Sequence, residues 1–527
     1  MKLKHLCLTA AAALCAVTMS FGAIAAELVI GSSTEPSAID PHFSRTGNNQ
    51  QIAVQIFDRL ITQDENLQVH PGLAESWDVV DPTTWRIHLR DGVVFSDGTP
   101  LTPDDVVYSM ERAGNIPNSP APFNGMVGGI DSMKIVDDHT IDFKTKTPLP
   151  NFMELAGMVY IVKKAAAEGA AIEDFNSGKA AIGTGAYTFV DWVPGDHLTL
   201  KANPKYWGPK PDYDDVTYKF IANGAARVAA LRSGAVDLID SVPPSDIDTI
   251  KGTDGLKLFS IASSRLIYLA IDSDRDDSPF VTDLNGKPMD KNPLKDARVR
   301  TAMSMMIDRN LIIDRILRGS GEAAGQEVPE GMGGYVKDLP PPAYDPEKAK
   351  ALLTEAGYPD GFGITIHSSN DRVPNDSDVA QAIGQMFARG GLKVNGVVTL
   401  PYNVYAPAAT KLDYSVFLYS IGNSTSSSGP SLQNLLMTYD KDAGQGSFNR
   451  GRYSNPEFDK LLRAALSEFD DGKREDLLEQ ATKLAFGEES AVIPLYWQSV
   501  HWAGKSTVDF TPSRGEDTVA TNARIAK

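Results

Sequence analysis

The chain has 527 residues, 42% hydrophobic and 22% charged, an ordinary composition for a globular protein of several domains. Its 50 Lys and Arg stand against 68 Asp and Glu, a net charge of −18 that becomes −20 once a leader carrying Lys2 and Lys4 is removed. That balance excludes nonspecific nucleic-acid binding and adhesion to anionic lipid.

Lys2 and Lys4 precede an uncharged run from Leu6 to Ile24, and Ala23, Ala25 and Ala26 supply small residues before Glu27. This order predicts a secretory signal peptide over 1–26 and a mature protein in the periplasm. The run approaches a membrane span in length, but the small-residue site and the acidic chain after it favour cleavage. Both cysteines, Cys7 and Cys15, fall in the leader. Leu14, before Cys15, argues against lipidation. The mature chain therefore has no disulfide, and its stability must come from a large core.

After the leader, Trp85, Ile87 and Leu89 alternate with Arg86, His88 and Arg90, the pattern of a half-buried strand. Thr102-Pro103-Asp104-Asp105 opens a helix with a cap, a proline at the first position and acids at the positive end. Val106, Val107 and Met110 form its apolar stripe. Leu266 to Ile271 is almost wholly apolar and predicts a buried strand. Asn285-Gly286 makes a tight turn on an excursion from Asp283 to Asn292. Further helices start at Asp296, after Asp345-Pro346 and after Asn455-Pro456. This mixture predicts an α/β protein with several lobes.

Motifs for chemistry are absent. The eight histidines have no zinc-ligand spacing. Gly504-Lys505-Ser506 lacks the first glycine of a phosphate loop, with Ser499 in its place, and no G-x-S-x-G elbow occurs. Asp272, Asp274, Asp276 and Asp283 imitate a calcium loop, but Asp277 stands where glycine is needed, so a solvated acidic loop is expected. The motif content gives no support to a catalytic residue, a metal or a cofactor.

The strings themselves carry a resemblance. Leu73-Ala74-Glu75-Ser76-Trp77, Trp85 to Phe95, and Asp97-Gly98-Thr99-Pro100-Leu101-Thr102 with Asp104-Asp105-Val106 are similar to the signature block of the extracellular solute-binding proteins of the peptide, opine and nickel class. Gly183-Thr184-Gly185-Ala186-Tyr187, Asn203 to Gly208, Arg227 to Gly234, Asp296 to Arg309, Ala356-Gly357-Tyr358-Pro359, Arg452 to Asp459 and Ile493 to Tyr496 keep the order of that family to the end of the chain. The resemblance implies a type II-like periplasmic binding protein fold. Two lobes, joined by two crossing strands at Leu266 to Ile271 and Leu495 to Trp502, would enclose a ligand cleft. Lobe I would comprise 27–57, 186–264 and 500–527, with a subdomain inserted over 58–185, and lobe II 265–499. Trp77, Trp85 and Trp207 are assigned to the core.

The implied function is the substrate-binding component of an ABC importer for peptides or a related small polar solute. It would act as a monomer with inner-membrane permease and ATPase subunits, and without nucleic acid. A sensor or chaperone of the same fold is the alternative; an exported hydrolase is disfavoured by the missing motifs. In the family's peptide binders an aspartate in a lobe II loop holds the ligand's ammonium. The matching run, Leu418 to Pro430, contains no acid. Tyr419, Gly422, Asn423, Ser424 and Ser426 are therefore cleft candidates that offer hydroxyls and an amide instead of a carboxylate. Blocking a ligand's N-terminus should then cost little, and opine-like or carbohydrate-like solutes stay open. Arg372 is the candidate for a ligand carboxylate. Ser33, Thr34 and Glu35 would face the cleft from lobe I, with Tyr402, Tyr405 and Trp497 as stacking walls.

Overall fold

The computed structural model describes residues 26–527. The expected leader, with Cys7 and Cys15, thus lies outside the described residues except for Ala26. No helix among the described residues is long and apolar enough to cross a membrane.

Two long antiparallel strands, Leu256–Ile271 and Ile493–Lys505, run through both lobes. Their lobe I halves pair from Leu256 with Lys505 to Ala262 with Ser499, and their lobe II halves resume at Leu266 with Trp497. The register shifts between Ala262 and Leu266, where Ser263, Ser264 and Arg265 leave the ladder. This break marks the crossing between lobes.

On the lobe I side the sheet continues through Leu238–Ile239, Glu27–Ser32, Asp215–Phe220, His197–Ala202 and Tyr187–Val193. On the lobe II side Val416–Ile421 pairs with the first hinge strand and Gly363–Ser369 pairs beyond it. A separate four-stranded antiparallel sheet, ordered Ala74–Asp81, Thr84–Leu89, Thr140–Thr145 and Ile130–Asp137, falls within 58–185.

The uniform apolarity of Leu266 to Ile271 has a direct cause. Side chains alternate across a strand, and here both faces are covered. Leu266, Tyr268 and Ala270 enter one hydrophobic cluster, and Ile267, Leu269 and Ile271 enter another. Helices Ala297–Met305, Pro346–Glu355 and Asp376–Arg389 supply side chains to the second cluster; Pro456–Ala465 and Asp471–Thr482 supply the first. Leu269 is fully buried, so Leu269→Ala costs about 2–5 kcal/mol.

The Gly183-Thr184-Gly185 string has a steric reason. A Cβ at Gly183 would lie 2.0 Å from the Ile56 carbonyl oxygen, and one at Gly185 2.5 Å from that of Gln55. The Gly185 N–H donates to the Ile56 carbonyl at 3.0 Å. Glycine thus lets this segment lie against the end of the helix Gly47–Ile56.

One local expectation is met and one is corrected. The helix Pro103–Ala113 forms with a capping box between Thr102 and Asp105 at its start. The Asp105 carboxylate accepts from the Thr102 hydroxyl at 2.6 Å and from the Thr102 N–H at 2.9 Å. The loop at Asp272 is not simply solvated. Asp272 is 3% exposed and accepts from Arg275 Nε at 2.7 Å and from the Ser278 hydroxyl. An uncompensated buried carboxylate would be costly, and Arg275 supplies the charge that permits its burial.

Candidate functional site

A cavity of about 810 Å3 lies between the lobes. That is toward the upper end of the roughly 300–1,000 Å3 typical of small-molecule sites. Its walls come from segments far apart in sequence: the first strand and helix, the start of the inserted stretch, the hinge crossing, the loops after three lobe II strands, and the C-terminal residues 511–522.

The lobe I wall carries all the acids: Asp58, Asp64, Glu65, Asp240, Glu516 and Asp517. Several serve the fold. Asp240 accepts from the Ser33 N–H at 2.8 Å and the Ser33 hydroxyl at 3.1 Å, and faces buried Arg227 at 3.4 Å. Asp64 organises a turn by accepting from the Asn66 and Gln68 N–H groups. Asp58 is 7% exposed and takes a 2.7 Å bond from Trp207 Nε1. Burial pushes its carboxyl above the usual range, against the bond from Trp207 and the charge of Arg59. Glu516 makes a two-pronged pair with Arg265, at 3.0 and 3.1 Å. Half-buried Asp517 is pushed up to about 6 by burial, with Arg59 opposing and Glu516 adding.

The lobe II wall has no acid. Arg265 is spent on Glu516. Arg372 lies over the Tyr402 ring at 5.2 Å, and Arg450 over the rings of Tyr419 at 4.4 Å and Phe448 at 5.3 Å. The Tyr402 and Tyr419 hydroxyls meet at 3.3 Å. Neither Arg372 nor Arg450 pairs with a carboxylate among the described residues. Nearby acids are occupied: Asp371 caps the Tyr402 N–H at 2.7 Å, and Asp376 takes the Ser369 hydroxyl at 2.6 Å and the Arg372 N–H at 3.1 Å.

The residues expected from the sequence are only partly brought together. Ser33, Thr34, Arg372, Tyr402, Tyr419, Gly422, Asn423 and Ser424 line the cavity. Glu35 does not; it accepts the Gly195 N–H at 2.7 Å on the outer surface of lobe I. Tyr405, 1% exposed, packs in the core and donates to the Leu418 carbonyl. Trp497, 4% exposed, points from the second hinge strand into the same core, and its Nε1 donates to the Glu327 carbonyl at 2.9 Å. An indole with a satisfied N–H in a core has no face left for a ligand.

The serine-rich run is an ordered turn that ties the lobes together. The Asn423 amide bonds the Ser427 carbonyl and the Ser431 hydroxyl, and its oxygen accepts from Thr425. The Asn423 amide is therefore used inside the loop, while exposed Ser424 lines the cavity. The Ser424 carbonyl accepts from Gln63 of the inserted stretch at 3.1 Å, and the Ser426 hydroxyl donates to Glu154 of the same stretch. Behind this turn lies Glu327, 1% exposed, whose carboxyl faces Asn423 and Ser431 without a hydrogen bond of standard geometry. Burial pushes it up to about 8, which favours its protonated form.

Sequence reasoning missed Arg450, Arg265, Asp58, Glu516, Asp517 and Glu327. Arg450 stands two positions before the family string that starts at Arg452, and an arginine pair there was a usable signal. The C-terminal acids gave none, because only the fold brings residues 511–522 to the cleft.

Three comparisons with known proteins bear on this cavity. The family described as bacterial extracellular solute-binding proteins, family 5 Middle, matches residues 68–443. The chain is similar to Di/tripeptide-binding protein 1 of Pseudomonas aeruginosa (strain UCBPP-PA14), 29% identical over 95% of this chain and 94% of that protein. It is also similar to the Dipeptide-binding protein of Escherichia coli (strain K12), 27% identical over 91% of each. Among solved structures, HbpA2 from Haemophilus parasuis superposes with a TM-score of 0.81 at 26% identity, over 95% of this chain and 100% of that one.

Proposed function

Because the chain belongs to the bacterial extracellular solute-binding proteins, family 5, we propose that it captures short peptides in the periplasm. It delivers them, as a monomer, to the permease and ATPase subunits of an ABC importer. The observation that carries the peptide reading is the charge division across one cavity. Carboxylates reach it only from lobe I, and unpaired guanidiniums face it from lobe II. A short peptide is a zwitterion that spans such a cavity, ammonium toward Asp517 and its neighbours, carboxylate toward Arg372.

Binding then couples to closure without any bond being broken. A solute that touches both walls favours the arrangement in which they approach, by its differential affinity for that arrangement. Excluding water strengthens each charged contact inside the cleft. The acid-free run of Leu418 to Pro430 led to the expectation that a blocked N-terminus costs little. The carboxylates on the opposite wall support the contrary reading, in which a free ammonium contributes to binding.

Calorimetry with a free, an N-acetylated and a C-amidated version of one tripeptide tests the reading. The free form should bind one to one, and each block should weaken binding by about ten- to a hundredfold, the loss of one charge-assisted contact. Equal affinity for all three, no binding of the free form, or conversion of the peptide to a product would overturn it.

A further inference from the structure

The two guanidiniums on the lobe II wall exceed what one peptide carboxylate requires. Arg372 and Arg450 both act electrostatically on the Tyr419 hydroxyl, which burial nonetheless pushes up to about 12. They therefore flank a single tyrosine pair. Two like charges held beside one another on a cavity wall repel, and here no carboxylate among the described residues relieves them. The other cavity arginines belong to lobe I or the hinge crossing, and each has contacts of its own. Arg45 donates to the Pro122 carbonyl at 2.8 Å. Arg265 pairs with Glu516. Arg514 donates to the Ala262 and Glu330 carbonyls and to Asn66. Arg59 has Asp58 and Asp517 as charged neighbours. Arg450 also keeps a buried Nη1 that finds no partner. Its Nε donates to the Thr410 hydroxyl at 3.3 Å. Stacked on Tyr419 and Phe448, the guanidinium stands at the cavity wall as a positive charge with no carboxylate partner among the described residues.

We infer that the solute carries two anionic groups at its lobe II end, one for Arg372 and one for Arg450, as in a peptide that ends in Asp or Glu. This rests on the peptide reading only for the identity of the backbone. The paired anions are called for by the two arginines whatever that backbone is. Neutral C-terminal residues leave Arg450 facing the cavity uncompensated, and a C-terminal Lys adds a third positive charge.

Calorimetry with Ala-Ala-Ala, Ala-Ala-Glu and Ala-Ala-Lys, plus N-acetylglutamate as a non-peptide dicarboxylate, tests the inference. Ala-Ala-Glu should bind about ten- to a hundredfold more tightly than Ala-Ala-Ala, the size of one charge-assisted contact, and Ala-Ala-Lys more weakly than either. Arg450→Gln should erase the preference for Glu, and Arg450→Lys should restore part of it. Equal binding of Ala-Ala-Glu and Ala-Ala-Ala would overturn the inference and leave the peptide reading standing. A preference for Glu that survives both Arg450→Gln and Arg372→Gln would also overturn it. If no tripeptide binds but N-acetylglutamate does, the peptide reading falls and the paired anion site stands; if nothing binds, both fall.

Discussion

The wall that lobe I presents to the cleft and the wall that lobe II presents differ in kind. Lobe I brings carboxylates from several stretches of chain, and burial raises Asp58, Asp240 and Asp517 among them. Lobe II brings tyrosines and arginines. Of its nearby buried acids, Asp376 is taken up by Ser369 and the Arg372 N–H, and burial holds Glu327 above the usual range behind the wall. The shared scaffold of strands and proline-started helices is indifferent to this division. Ligand chemistry sits on loops and the C-terminus, where substitution leaves the core intact. The side of the cavity that carries the acids can therefore change without any change of fold.

The strongest test of that contrast is Glu327. Its folded pKa is raised from 4.5 to about 8, so the folded state binds more protons than the unfolded state between those values. Stability should fall as pH rises through that window. Glu327→Gln should therefore raise stability at pH 7 by about 3 kcal/mol and flatten the decline, read by urea unfolding at several pH values. An unchanged slope would mean that Glu327 is ionised and that the lobe II wall is not free of negative charge.

Arg372→Ala comes next. It should weaken a peptide with a free carboxylate by about 2 kcal/mol while barely affecting its amide, measured by competition against a fluorescent peptide. A similar loss for both forms would make Arg372 a packing residue on Tyr402 instead of an anion site.

Asp517 tests the other wall. A bound ammonium favours its ionised form, so affinity for a free-amine peptide should fall as pH drops through about 6. The fall should be about tenfold between pH 6 and pH 5 at most, and Asp517→Asn should remove the pH dependence. If the profile persists in the variant, another lobe I acid holds the amine.

The smallest expected effect concerns the contact between walls. Ser426→Ala removes the hydrogen bond to Glu154, worth about 1 kcal/mol. Small-angle scattering should show a larger ligand-free radius for the variant, with the saturated form unchanged. Equal radii without ligand would show that this bond does not help to hold the lobes together.

The long elements were legible because they obey local rules. The strand at Thr84–Leu89 alternates in the sequence because one face meets a core. The helices at Pro103, Pro346 and Pro456 begin where proline fits the first helical position. Trp497 and Tyr405 show where such rules stop. An aromatic side chain looks the same in sequence whether it walls a ligand or fills a core, and only its satisfied N–H or O–H and its burial separated the two.

By itself the sequence determined the α/β class, the family and the lack of a catalytic motif, since these rest on short-range periodicity and on contiguous strings of residues. It also contained Arg372, Tyr402 and Tyr419 as cleft residues, because each lies in a recognisable loop or strand end. Which acids line the cavity, and from which lobe, was decided only by the tertiary structure. Asp58 and Asp517 are 459 positions apart in the chain, and no local pattern relates them. They share one wall because the C-terminal segment packs back onto lobe I, where the Trp502 indole donates to Thr518 at 2.8 Å and the Gln55 amide oxygen accepts the Ala520 N–H at 3.1 Å.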